Sequence, residues 1–199
     1  MRYDAVVVGA GPAGLTFARF LAAKGYRVAV LEKNEQLAVK PCGEGISARV
    51  LETADIRQGD ASRFISRKIR GALVVAPNGK GVEISQALGM GYIIDKKNFL
   101  KVLGEYAADA GAEIYMKEQV RDAKVTEGVV KVHARTLEAE ARLLVGADGY
   151  MSFISKRFGL ENPGERRIIP TVQYVMTHVA MPDPDLAYFY LGNEVAPKG

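Results

Sequence analysis

The chain opens with an unbroken apolar run. "YDAVVVGAG" carries Val6–Val8 without a polar break and closes on glycines, the pattern of a strand buried on both faces. "PAGLTFARFLAAKG" follows with helical spacing; Pro12 suits its first turn and Gly25 its end. "YRVAVLEK" is a second buried strand. Strand, helix and strand in about thirty residues predict a βαβ unit with parallel pairing. Further on, "ISARVLETADI" (46–56) predicts a short amphipathic helix with Ile46, Val50 and Leu51 near one face. "ALVVAPNGKGVEIS" (72–85) predicts a hairpin, with Asn78-Gly79 supplying the positive φ angles of a tight turn. "DKKNFLKVLGEYAADAGA" (95–112) predicts a helix between an Asp95 N-cap and a Gly111 stop. "EIYMKEQV", "VVKVHAR" and "AEARLLVGADG" read as strands, as do "TVQYVMTHVAM" and "LAYFYLG" in the Pro-rich tail after Pro163. No internal repeat is visible.

The first turn carries chemistry. Gly9, Gly11 and Gly14 spell G-x-G-x-x-G, after a buried strand and at the opening of a helix. Gly9 permits the turn, Gly11 lets the backbone approach a pyrophosphate, and Gly14 lets helix and strand pack closely. The helix N-terminus then faces the negative charge. Glu32 ends the next strand, near the usual ~20-residue spacing, where a carboxylate accepts hydrogen bonds from ribose hydroxyls. FAD and NAD both use this arrangement. "LLVGADGYMS" (143–152) distinguishes them: a strand running into Ala147-Asp148-Gly149 resembles the second fingerprint of the p-hydroxybenzoate hydroxylase group of FAD proteins.

Composition narrows the class. The chain has 199 residues, 48% of them apolar, enough for a real core. A single cysteine excludes an internal disulfide framework and fits a reducing cytoplasm. No apolar stretch reaches the length of a membrane span. The net charge of +4 comes partly from "RFISRKIR" (63–70) and "ERR" (165–167). Without interleaved aromatics or a nucleic-acid motif these do not read as RNA or DNA contacts. Arg63, Arg67, Lys68 and Arg70 are instead the candidates for attracting an anionic lipid head group from a peripheral position on the membrane face. His133 and His178 lack metal-ligand spacing, so no metal site is expected.

The lone cysteine lies in "VKPCGEGIS" (39–47). Together with the two glycine motifs, "GYIIDKKNFLKVL" (91–103) and "FYLGNEVAPKG" (189–199), this segment resembles the geranylgeranyl reductases, especially the archaeal digeranylgeranylglycerophospholipid reductases. The resemblance implies an α/β fold: a Rossmann-like FAD domain over 1–60 and 95–155, interrupted by an incomplete β-rich substrate domain over 61–94 and 156–199. It implies FAD-dependent reduction of isoprenoid double bonds, with hydride from the reduced flavin, a proton to the second carbon, and an electron donor such as NAD(P)H or ferredoxin. The cofactor-binding positions it implies are Gly9, Gly11, Pro12, Ala13, Gly14, Glu32, Lys33, Cys42, Gly43, Gly45, Lys96, Val120, Ala147, Asp148 and Gly149. At Lys96 the family has arginine, whose planar fork lysine lacks.

Cys42 is the candidate catalytic residue, either a group beside the reacting alkene or a small buried filler. Glu44 is a proton donor only if burial raises its pKa, and otherwise a solvated turn residue. Tyr174, Tyr188, Phe189 and Tyr190 line an apolar channel or belong to the sheet core. The family's later Gly-Asp segment is missing, so the chain is expected to be the N-terminal half of such an enzyme. The competing expectations are an aromatic monooxygenase of the same fold and a non-catalytic FAD-binding piece.

Overall fold

The structure, a computed structural model, describes residues 1–84, 91–160 and 170–196. In chain order its elements are β1 (Arg2–Val8), α1 (Pro12–Ala22), β2 (Val28–Leu31), β3 (Gly45–Ser47), α2 (Arg49–Thr53), α3 (Gln58–Ala61), β4 (Ile65–Ile69), β5 (Gly71–Val75), β6 (Gly81–Ile84), β7 (Gly91–Ile94) and α4 (Lys96–Asp109). Then come β8 (Glu113–Tyr115), β9 (Asp122–Thr126), β10 (Val129–His133), β11 (Glu138–Gly146), α5 (Phe153–Arg157) and β12 (Leu186–Tyr190). They divide into two compact units, Met1–Lys40 with Lys97–Arg166, and Pro41–Lys96 with Arg167–Gly199.

The first unit is built on a six-stranded sheet in the order β8-β2-β1-β11-β10-β9. β1 pairs parallel with β2 and β11, β2 pairs parallel with β8, and β11-β10-β9 runs antiparallel. Parallel strands covered on both faces need continuous apolar runs, and Val6, Val7, Val28 and Val30 are fully buried. Each such side chain contributes about 2 kcal/mol of burial. Leu15 and Ala18 of α1 and Phe99, Val102, Leu103 and Ala107 of α4 are buried. The Arg19 guanidinium, 4.3 Å from the Tyr106 ring centroid, bridges these two helices. Gly111 (φ +100) lets α4 end in a reversed turn in which the Ala112 N–H donates to the Ala107 carbonyl at 2.9 Å.

The expected strand at 113–120 is cut to Glu113–Tyr115; Lys117 takes a positive φ (+61) and Glu118 is buried. Only 6% exposed, Glu118 accepts the Thr136 N–H (2.9 Å), the Thr136 hydroxyl and the Leu137 N–H (3.3 Å). Burial pushes its carboxyl up, but these hydrogen bonds outweigh burial and hold it below the usual carboxylate range. They pin the turn between β10 and β11.

The second unit holds two three-stranded sheets, β3-β7-β4 and β12-β5-β6. Here the periodicity of 46–56 misled: residues 45–47 are a strand, and α2 buries none of its residues. Gly91 makes that pairing possible, since a Cβ there would stand 2.8 Å from the Ile46 carbonyl oxygen. The expected hairpin forms, but over a five-residue loop, Ala76–Lys80, in which only Gly79 has positive φ. Asn78 acts through its carboxamide oxygen, which accepts the Lys80 N–H at 3.1 Å. Residues 171–181, read as strand-like, form no regular element, whereas "LAYFY" does, pairing parallel with β5. Tyr174 is 80% exposed and Phe189 and Tyr190 are more than half exposed, so the sheet-core reading of these aromatics fails. Ser85, the basic "ERR" at 165–167 and residues 197–199 lie outside the described residues.

The basic run is locally paired. Arg63 meets Asp60 at 3.5 Å, Arg67 meets Asp185 at 2.9 Å, and Arg70 binds both Glu83 and Asp183. Much of the charge assigned to head-group attraction is thus offset by acids of the same unit, and Arg67 and Arg70 serve to fasten the approach to β12.

Glu118→Gln should lower the thermal midpoint at pH 7, by the equivalent of about 1 kcal/mol for a weakened buried hydrogen-bond set. The folded-state pKa of Glu118 is depressed. Its contribution is therefore complete above the unfolded carboxylate pKa and is lost as pH falls through the folded value. The gap between variant and wild type should close on acidification, as followed by thermal melts across a pH series.

Candidate functional site

Three backbone segments converge at the C-terminal end of β1. Gly9 leaves the strand with φ +104, and its N–H donates to the Leu31 carbonyl at 2.8 Å. On the other side the Ala147 N–H donates to the Val8 carbonyl at 2.8 Å. A Cβ on Gly9 would lie 2.4 Å from the Ala147 oxygen, and a Cβ on Gly14 would lie 2.0 Å from the Gly9 oxygen. Both glycines are thus required by protein packing alone. Gly11 is different: a Cβ there would meet nothing within 4 Å. Its bareness leaves open space in front of the α1 N-terminus. That terminus has Gly11 as N-cap with no side-chain cap, Pro12 in the first turn, and no acidic residue in that turn. The amides of Ala13 and Gly14 and the helix dipole therefore favour an anion at this end.

Glu32, 9% exposed, sits just beyond β2. Its Oε2 accepts the Ala10 N–H at 2.9 Å, and its Oε1 accepts the Asn34 N–H at 2.9 Å and Nδ2 at 2.6 Å. The carboxylate braces the glycine loop, and Oε2 retains capacity for a second donor such as a ribose hydroxyl. Lys33 beside it is exposed. Val120, buried, lies between the Glu118 N–H, which donates to the Glu32 carbonyl at 2.8 Å, and the Arg121 N–H, which donates to the His133 carbonyl at 2.8 Å.

In the Ala147-Asp148-Gly149 turn, the Asp148 carboxylate faces α5. It accepts the Ser152 hydroxyl (2.6 Å), the Phe153 N–H (2.6 Å) and the Ile154 N–H (3.2 Å), while Ser152 caps the Ser155 N–H. Gly149 (φ +83) completes the turn. What Asp148 offers outward is its backbone. Sequence reasoning did not foresee this short helix; the serine four residues after Asp148 was the available signal.

In the second unit Cys42 is exposed, which removes the buried-filler reading. Its N–H donates to Gln173 Oε1 at 3.1 Å, and its Sγ accepts the Glu44 N–H at 3.4 Å. A Cβ at Gly43 would meet nothing within 4 Å, and one at Gly45 would meet only Ile93 Cδ1 at 3.9 Å, so this backbone is bare on its open side. Glu44 is neither buried nor a freely solvated turn residue. It is half-buried, its carbonyl accepts the Ile94 N–H (2.9 Å), and its Oε1 accepts the N–H of Lys96, the half-buried first residue of α4 (3.3 Å). The same unit has an open groove of about 720 Å³ lined by Leu51, Ile56, Ile65 and Tyr92 with Glu52 and Asp55. Gln173 was missed from sequence, because nothing local marks a glutamine 131 residues away as a partner of Cys42.

The open space at Gly11, the uncapped helix amides and the buried acceptor at Glu32 fit a dinucleotide. The chain belongs to the FAD binding domain family, whose model matches residues 2–194. Its cofactor is FAD. It is 33% identical to a digeranylgeranylglycerophospholipid reductase of Thermoplasma volcanium, over 99% of this chain and 52% of that protein. A geranylgeranyl bacteriochlorophyll reductase-like protein of Thermoplasma acidophilum superposes with a TM-score of 0.75 at 27% identity, over 96% of this chain and 50% of that one. The OxyS anhydrotetracycline hydroxylase of Streptomyces rimosus gives a TM-score of 0.66 at 28% identity, over 80% and 34%. The chain spans about half the length of the reductases it matches. Among the described residues no helix is long and apolar enough to cross a membrane.

The glycines separate folding from binding. Gly11→Val should leave the thermal midpoint of the ligand-free chain near wild type and abolish FAD binding, because its side chain enters only the open space. Gly14→Ala should destabilise the chain itself by about 1–3 kcal/mol through overpacking. Flavin fluorescence quenching alongside thermal melts checks both, and equal FAD affinity in Gly11→Val and wild type would sink the assignment of this loop.

Proposed function

We propose that the protein acts as a flavin-dependent reductase of carbon–carbon double bonds in the isoprenoid chains of glycerophospholipids. The observation that carries the reading is the alignment of virtually the whole chain with a digeranylgeranylglycerophospholipid reductase. It includes the C-G-E-G segment, whose thiol is exposed here and whose backbone is bare. FAD, when bound and reduced, supplies the hydride equivalent; a proton must reach the other alkene carbon. The protein's own part is to hold the dinucleotide through Gly9–Gly14 and Glu32, with Lys33, Lys96, Val120 and the Ala147–Gly149 turn as further contacts, to seat an apolar chain, and to present Cys42 to the substrate. The groove beside Tyr92 has Leu51, Ile56 and Ile65 to receive an apolar chain, beside the carboxylates of Glu52 and Asp55. The electrons come from a reduced donor, NAD(P)H or ferredoxin, and the lipid is met at a membrane surface.

The similarity to an anhydrotetracycline hydroxylase supports a second reading, monooxygenation of an aromatic substrate. Fold does not separate the two. Product mass does: reduction adds one H₂ per double bond without oxygen uptake, whereas hydroxylation adds an oxygen atom and consumes O₂.

Cys42→Ala and Cys42→Ser, made in the protein at the full length of its relatives, should lower alkene reduction by about a hundredfold, within the range for losing a group that assists proton transfer. Bound flavin should stay near wild type. Wild-type turnover of a geranylgeranyl lipid by both variants would remove Cys42 from the chemistry.

A further inference from the structure

We infer that Glu44 and Gln173 are positioning residues that hold the Cys42 loop in one conformation, and that the Glu44 side chain is kept at a strained backbone position for this purpose. The inference rests on the reading of Cys42 as the residue presented to substrate.

Glu44 has φ +58, a conformation in which a residue with a Cβ is strained and glycine is at ease. Glycines flank it on both sides, yet the position itself carries a carboxylate. That side chain makes a definite contact: Oε1 accepts the Lys96 N–H at 3.3 Å, an amide at the start of α4 with no earlier turn to bond. The residue's backbone groups are also engaged. Its carbonyl takes the Ile94 N–H, and its N–H donates to Cys42 Sγ at 3.4 Å. One strained residue thus ties the β7–α4 junction to the sulfur. Gln173 fixes the loop from the opposite end, accepting the Cys42 N–H at 3.1 Å. Beyond Gly45 the ladder with β7 takes over, from Gly45 opposite Ile93. The segment from Cys42 to Gly45 is therefore held at its start, middle and end although Cys42, Gly43 and Gly45 are exposed. Preorganisation of this kind fits a group that must meet a substrate atom in one geometry. An N–H donated to sulfur also engages a lone pair that an electrophile would attack.

The test uses the single cysteine of the chain as its own reporter. Native alkylation by iodoacetamide, followed by intact mass at fixed pH, is compared in wild type, Glu44→Gly, Glu44→Gln and Gln173→Leu, with a thermal melt of each. Gly suits φ +58 better than Glu, so Glu44→Gly should not lower the thermal midpoint, but it removes the anchor; alkylation should rise about fivefold, the factor for one net hydrogen bond. Gln173→Leu should raise it similarly. Glu44→Gln keeps an acceptor oxygen and should stay near wild type. Unchanged rates in both Glu44→Gly and Gln173→Leu overturn the proposal, as does Glu44→Gln behaving like Glu44→Gly, which would make the effect one of charge. Labelling needs neither flavin nor lipid. Failure of Cys42 in turnover therefore leaves this result standing, and loss of the anchors leaves the turnover test standing.

Discussion

A carbonyl oxygen occupies the place where Gly14 would have a side chain. The Gly9 oxygen lies 2.0 Å from the point where that Cβ would be, and the Ala147 oxygen crowds Gly9 in the same way. Helix α1 can sit this close to the end of β1, and β11 can run alongside, only because two positions are bare. No relaxation of a flexible side chain would relieve either clash, since the opposing atoms are backbone. The parallel order β2-β1-β11, the direction of the α1 N-terminus, and the space in front of Gly11 all follow from that one close approach.

Around it, charge is used for bracing. Glu32, Glu118 and Asp148 each turn a carboxylate onto backbone amides: the glycine loop and Asn34, the β10–β11 turn, and the start of α5. Hydrogen bonds to ionised acceptors contribute more than neutral ones, about 1.5–3 kcal/mol each. Placed at loops rather than in the sheet, they stiffen the irregular segments that hydrophobic burial does not reach. The elements between them are secured by valines; the connections are secured by acids.

That division explains what was legible in the sequence. Apolar runs and glycine spacing revealed β1, α1, β2 and their parallel pairing, and "AEARLLVGADG" revealed β11 and its turn. Long-range pairing was not written locally. Ile46 follows helical spacing with Val50 and Leu51, yet β7 claims it for a strand, and α2 starts only at Arg49. "RFISRKIR" reads as a basic surface run; its Arg67 and Arg70 are matched by Asp185 and Asp183, more than a hundred residues on. The strands β4 and β9 were unseen because three of the five residues in each are exposed, Ser66, Arg67 and Lys68 in one and Lys124, Val125 and Thr126 in the other, which leaves no apolar alternation. Of the candidate site, the glycines and Glu32 were readable from spacing. The roles of Glu44 and Gln173 were not, because a backbone angle and a distant acceptor leave no periodic mark.

The parallel pairing of β12 with β5 has a bearing on how the second unit comes together. Gly71 lies opposite Leu186, so the β5–β6 hairpin waits for more than a hundred residues before the outer edge of β5 is covered. Closing so long a loop costs entropy before any contact compensates, and such non-local pairing is slow. As the chain leaves the ribosome from its N-terminus, that edge is exposed while β8, β9, β10 and β11 of the dinucleotide sheet are being made. The six strands of the first unit can therefore pair while the second still offers an unpaired strand, a template for mispairing with other nascent chains. A lower growth temperature or an abundant chaperone should benefit yield at this step of synthesis, and a tag placed against residues 186–190 would compete with the strand that ends the wait.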